Sequence, residues 1–353
     1  MIRHLIHGAA FVVFGMVLCH AQASLIGEGG RQPRVVVTSR GVACVVYAIG
    51  DVVHCSTSTD GGKKFSAPVK VASVEGLMCG MRRGPQIAAT RGHLVITTIG
   101  KSGNIECMRS ADDGRTWSAR KVVSDVSGSA REGLHAMVGG GADEVLVVWL
   151  DLRNGKTELY GSHSTNGGAD WSPNFLIYRS PSGAICQCCQ PSVSSDREGG
   201  YHVMWRNSIG ASRDAWMATS RDGKSFAHPQ KLGSGIWNLP ACPMDGGAIG
   251  VDRSGNVMSV WRRDRRVFSC RPNGVERELG VGSQPQVVTA GQGFVFVWER
   301  DGAIICQSGD GVPPVVLGAG KFPSAAARPD LVGPVIVVGE TPQGVSAYPL
   351  GAQ

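Results

Sequence analysis

The chain has 353 residues, 42% of them apolar and 18% charged, with 50 glycines and a formal charge of +7. That length can bury a full core without disulfides. Its Lys and Arg are scattered rather than run together, which excludes a nucleic-acid module and suits a small anionic ligand. After the first residues no stretch holds the roughly 18 uninterrupted apolar residues of a membrane span.

The first residues read as a secretory signal peptide. Arg3 supplies a positive n-region, Ala9 to Leu18 an apolar h-region, and Ala21-Gln22-Ala23 an A-x-A cleavage site. Cleavage near Ala23 leaves a single domain, 24–353, in the periplasm or secreted, with a charge of about +6 once Arg3 is gone. Leu18 is too large for a usual lipobox, so Cys19 leaves with the signal. Of the 11 cysteines, ten remain in an oxidising compartment, an even number compatible with disulfides.

From there the chain repeats. STDGGKKF (58–65), SADDGRTW (110–117), STNGGADW (164–171) and SRDGKSF (220–226) align, each after a short β-like run such as IECMRS or LYGSHS. The Asp or Asn bonds the backbone that follows it, the Gly accepts positive φ, and the aromatic folds back against the hairpin. A second repeat runs further. Gly- or Pro-led first strands stand at 84–90, 191–196, 247–252, 285–290 and 323–328. Apolar second strands, each carrying a Trp, stand at 145–150, 201–206, 257–262 and 293–298. With VVVTSRGVACVVYA at the start there are seven units and no helical pattern between them. This predicts an all-β propeller of four-stranded antiparallel sheets with seven blades, or six if the last unit only completes the first blade.

In such a ring the turns after third strands share one face. The starts of first strands and the ends of second strands share the other, here called the mouth. Blade two brings Met78-Cys79-Gly80-Met81-Arg82-Arg83 to the mouth, and blade three Arg131-Glu132-Gly133-Leu134-His135. Blade four brings Cys186, Cys188 and Cys189 from AICQCCQPS, and blade five Cys242-Pro243-Met244-Asp245. Second strands add Asp151, Arg153, Arg206, Arg262 and Arg300, and the stretch 235–247 adds Trp237 for stacking on a sugar. Cys79, Cys186, Cys188, Cys189 and Cys242 suit either disulfides that lock the inner loops or a metal site completed by His135 and Met244. Thiolate with Met and His is a copper(I) set, and Cys with His also a zinc set. Cys55, Cys107, Cys270 and Cys306 fall on third strands as small buried apolar residues, and Cys44 with Cys55 is a further candidate pair.

The four Ser-x-Asp stretches resemble the Asp-box of the sialidase (BNR-repeat) superfamily. REGLHAM (131–137), ICQCCQPSV (185–193) and ACPMDGGAIGVD (241–252) resemble a group of exported sialidase-like proteins, a likeness that brings no activity with it. The superfamily resemblance implies ligand binding at the mouth. For a true sialidase it implies an arginine triad, a Tyr–Glu nucleophile and an Asp acid/base. Arg83, Arg131, Arg153, Arg206 and Arg262 are the candidate ligand residues, and Glu132, Asp151 and Asp245 the candidate acids. The family's Arg-Ile-Pro phrase is missing, its nearest counterpart being Arg83-Gly84-Pro85, and the five tyrosines offer no clear nucleophile. Three functions therefore stand. One is copper, zinc or a small anion bound at a Cys/Met/His mouth. The second is a sialidase-type glycoside hydrolase, and the third a scaffold docking a periplasmic partner protein.

Overall fold

Each repeat folds as an antiparallel four-stranded sheet. The computed structural model describes residues 23–351 apart from 292, 310 and 329–332, so the expected signal peptide lies outside the described residues. Seven such sheets follow one another as blades, and no described helix is long and apolar enough to cross a membrane. Blade one takes Arg31–Val37, Ala43–Ile49, Val52–Ser58 and Val69–Ser73 in order from the axis outward. Blade seven takes Lys321–Ala326, Val335–Thr341 and Gly344–Leu350, and its outer strand is Ser24–Glu28 from the other end of the chain. The first strand thus completes the last blade, and the count is seven.

Second strands read as continuous apolar runs because a neighbouring blade covers each of their faces. Val145–Asp151 is buried at every position, and Trp149, Trp205 and Trp298 are fully buried. Truncating one of these indoles to alanine costs about 3–5 kcal/mol. The cores lie between blades. Cys44 and Val46 of blade one, for example, share a cluster with Ile96 and Met108 of blade two.

The four repeated turns follow the third strands of blades one to four and share one hydrogen-bond pattern. Ser58 Oγ donates to Asp60 Oδ1 (2.9 Å) and accepts from Gly62 N (2.9 Å), while Asp60 Oδ1 accepts from Lys64 N (3.0 Å). Ser110 with Asp112, and Ser164 with Asn166, repeat it. The shorter Ser220–Phe226 copy keeps the Ser–Asp bond. The aromatic does more than close its own hairpin. Phe65, Trp117, Trp171 and Phe226 each join the core shared with the preceding blade. Gly168, at φ +78°, also faces that way, and a Cβ there would stand 3.0 Å from Val95 of blade two. These turns set blade spacing on the face opposite the mouth.

All ten described cysteines are free thiols. Cys44 pairs in register with Thr57, and Cys55 with Val46. They are diagonal neighbours, about 7–8 Å apart, beyond the reach of a disulfide.

Candidate metal centre

Two lead-in loops on the mouth face, into blades four and five, converge. The first runs from Gly183 to Pro191, ahead of Ser192–Ser195. It is pinned by Ile185 N donating to Thr157 O (2.9 Å) and Cys186 N donating to Arg206 O (3.1 Å). Gln190 fixes its far end. Its Nε2 donates to His135 O (2.7 Å), and its Oε1 accepts from Arg34 of blade one (2.5 Å). Cys186, Cys188 and Cys189 are thereby folded inward and are 4%, 7% and 1% exposed.

Their sulfurs form a triangle with sides of 3.5, 3.6 and 4.0 Å. A disulfide would need about 2.05 Å. A tetrahedral metal–thiolate site with bonds of about 2.3 Å has sulfur–sulfur edges of about 3.8 Å. The circle through the three sulfurs has a radius of about 2.1 Å. Cys186, Cys188 and Cys189 could therefore hold a thiophilic cation at bonds of about 2.3 Å.

The second loop supplies the neighbours. Met244, in the left-handed region at φ +52°, packs against the three thiols. Cys242, two residues ahead of Met244 on the same loop, is exposed. Beneath them Gly246 lies on Gln190, and Asp245 O accepts from Arg206 Nε (2.9 Å). Arg206, buried at the end of Tyr201–Arg206, also donates to Arg213 O (2.6 Å) and Arg262 O (3.0 Å). It therefore holds the first loop by its carbonyl and the second by its guanidinium.

In this environment the free thiols resist ionisation. Hydrogen bonding to Cys188 and then burial push Cys186 up to about 11. Burial and Cys186 push Cys189 up to about 12, against the opposing charge of Arg206. Cys188 is lowered by Cys186 but raised further by Cys189, burial and Cys242.

The other expected residues are spread more widely. His135 is buried with Nε2 against Thr97 of blade two (3.1 Å to Oγ1), and burial drives it down to about 4. Cys79 packs against the core between blades one and two, its thiol raised to about 11 by burial. Neither joins the sulfur triangle, which among the described residues is Cys186, Cys188 and Cys189 alone. Arg83 Nε donates to Glu132 O (2.6 Å), and Arg131 is exposed. Asp151 is fully buried, taking Trp149 Nε1 (2.7 Å) and Arg153 (2.9 Å). Trp237 is buried, with Arg206 and Arg262 at 4.9 and 5.4 Å from its ring centroid. Asp245 Oδ2 accepts from Gln284 N (2.7 Å) and lies 3.7 Å from Arg262.

Sequence reasoning passed over the group that closes the axis. Met81 and Arg82 are both left-handed (φ +51° and +69°), which throws Arg82 inward. Its guanidinium donates to Gln284 Oε1 (2.7 Å), Gln284 O (2.6 Å) and Pro323 O (2.8 Å), while its N–H meets Gln32 Oε1 (2.9 Å). One residue of blade two thus ties blades six and seven by its side chain and blade one by its backbone. Burial lowers it to about 10, opposed by Asp245 and Glu299. A signal existed: Gln-Pro heads the first strands of blades one, four and six, at Gln32, Gln190 and Gln284.

No protein-family model matches the chain, and no curated protein sequence matches it. Solved structures do. A protein of unknown function from Dyadobacter fermentans aligns at 15% identity and a TM-score of 0.56, over 93% of this chain and 96% of its own. The sialidase NanB of Streptococcus pneumoniae aligns at 10% identity and 0.56, over 95% and 70% respectively. The α-L-arabinanase of Penicillium chrysogenum aligns at 16% and 0.53, over 92% and 93%. At these identities the likeness shows a propeller fold of the kind sialidases and other carbohydrate-active proteins use. That fold hosts many unrelated functions.

Proposed function

We propose that this propeller is an exported metal-binding protein that holds one soft cation, copper(I), on Cys186, Cys188 and Cys189. The observation that carries this is the sulfur triangle, whose 3.5–4.0 Å sides match a thiolate coordination shell. Three thiolates beside the Met244 thioether form a soft donor set, which favours copper(I) over harder divalent ions. Arg206 supports the reading further. It is a buried cation bonded to carbonyls, and its charge acts on Cys189. A copper(I) ion with three thiolates carries net negative charge, which such a cation offsets.

Sugar hydrolysis gathers less support. Asp151 and Asp245 are buried in bonded positions, and the Tyr178, Tyr201 and Tyr348 hydroxyls are hydrogen-bonded to Asn207, Glu144 and a backbone carbonyl. The test is anaerobic titration of reduced protein with copper(I), followed by the thiolate-to-copper absorption in the ultraviolet. One equivalent should bind, and Cys188→Ser with Cys189→Ser should abolish it. A preference for zinc at the same stoichiometry would correct the metal. Protein that takes up neither ion while its thiols are reduced would remove the proposal.

A further inference from the structure

A second charged group stands at the axis, apart from the thiols and independent of any metal. Arg34 lies on the first strand of blade one, and its Nη2 donates to Gln190 Oε1 of blade four (2.5 Å). The first strand of blade one packs against those of blades two and seven, so this bond crosses the middle of the ring. We infer that Arg34 anchors an anion site at the axis, which takes a small planar oxyanion of one negative charge, of the formate, bicarbonate or nitrate kind.

The partners of the inner arginines carry the argument. Arg82 and Arg206 each spend their N–H groups on three carbonyl oxygens. Arg82 also has carboxylates close by, because the N–H groups of Gln284 and Phe322 beside it are bonded to Asp245 (2.7 Å) and Glu299 (3.4 Å). Arg34 has the neutral Gln190 oxygen, and among the described residues no carboxylate pairs with it. Burial, and then the like charge of Arg82, hold it well below its ordinary range. A cation drawn out of water without a counterion is costly, and an anion beside it offsets that cost. None of the Arg34 nitrogens is both buried and without a partner. The N–H groups not given to Gln190 therefore open onto accessible space.

The shape of the guanidinium sets the ligand class. Its five N–H groups form two forks, Nε with Nη2 and Nη1 with Nη2, and each fork uses a different Nη2 hydrogen. Gln190 takes one of these hydrogens, so one fork stays whole. Two parallel N–H groups match the two oxygens of a planar oxyanion. One uncompensated positive charge suits a monoanion better than a dianion or a neutral sugar. Gln190 keeps its place when the fork is filled, because its Nε2 remains on His135 O (2.7 Å). Anion binding and the thiol loop are thus separable.

The experiment follows thermal unfolding of the whole chain, reduced and metal-free, as sodium formate, nitrate or sulfate is added while sodium chloride holds the ionic strength constant. Formate and nitrate should raise the midpoint along a saturating curve, as ligands of the folded state do. Sulfate, which strengthens burial in proteins generally, should raise it only in proportion to its concentration. Calorimetric titration with formate then gives Kd. Arg34→Gln should weaken it about tenfold or more, through loss of both charge and fork. Arg34→Lys keeps the charge and the reach to Gln190 without the fork, so it tests the site in a folded protein even if Arg34→Gln unfolds. It too should bind formate about tenfold more weakly. Wild-type affinity in Arg34→Lys would overturn the assignment, and so would a wild-type protein with no saturating response to formate or nitrate. Copper(I) plays no part in these measurements, so either failure leaves the metal reading untouched.

Discussion

Gly246 lies directly against Gln190: a Cβ at Gly246 would stand 1.8 Å from the Gln190 carbonyl oxygen. Gln190 follows the last cysteine of the triangle, and Gly246 follows Met244 and Asp245 on the neighbouring blade. The absence of one side chain therefore lets the thiol loop and the thioether loop meet. Gly246→Ala should force them apart, costing about 1–3 kcal/mol of stability. Copper(I) affinity should fall at the same time. Urea unfolding and metal titration of the same variant check both, and unchanged affinity would show that the loops need not touch.

Arg206 joins the same two loops from below. Arg206→Leu leaves the Asp245, Arg213 and Arg262 carbonyls without their donor, a loss of about 3 kcal/mol or more. It also removes the positive charge beside Cys189. Copper(I) affinity should drop about 10–100-fold, the usual effect of losing an outer-shell partner. Arg206→Lys keeps the charge but not the three-way fork, and should recover affinity more than stability.

Thiol accessibility gives a third check. At neutral pH iodoacetamide should label Cys242 first and half-buried Cys79 later. Cys186, Cys188 and Cys189 should come last, because burial and mutual hydrogen bonding keep them protonated. Peptide mass spectrometry over a time course reads the order. Early labelling of Cys189 would contradict the packed triangle.

His135 sets an acid limit on the fold. It titrates near 4 when folded, below the ordinary histidine value of about 6.5. Between these values the unfolded chain binds a proton that the folded chain refuses. Stability is therefore full above about 6.5 and declines as pH falls towards 4, by up to about 3 kcal/mol. Denaturant titrations at pH 7 and 4.5 should show that decline, and His135→Gln should reduce it by this amount. An equal decline in the variant would place the proton elsewhere.

The blades were legible because neighbouring blades bury both faces of each second strand, which writes an unbroken apolar run such as VLVVWL into the chain. The serine turns were legible because their bonds are local to a few residues. The thiol triangle was legible as composition, three cysteines within four positions. Its partners were harder to read. Repeat position gives the blade and height of a residue but not the direction of its side chain. His135 turns to Thr97 and Cys79 to the core between blades one and two, although both start at the same height as Cys186. Arg206 reads as a rim cation but lies beneath the loops. Arg82 was missed because its placement depends on left-handed backbone at two non-glycine residues, which sequence patterns seldom mark.

The strand Ser24–Glu28 closes blade seven against Gly344–Leu350, pairing residues such as Ser24 and Ala347. Their separation of about 320 positions makes this the contact with the greatest loop-closure cost in the ring. Its significance is temporal. The first strand made waits for nearly the last, and until they meet both edges are open to pairing with another copy. The loops carrying the cysteines belong to blades four and five and do not wait for that seam. The three thiols come from one loop of blade four, while the bond from Arg34 of blade one to Gln190 at the end of that loop forms only when blades one and four face each other across the ring.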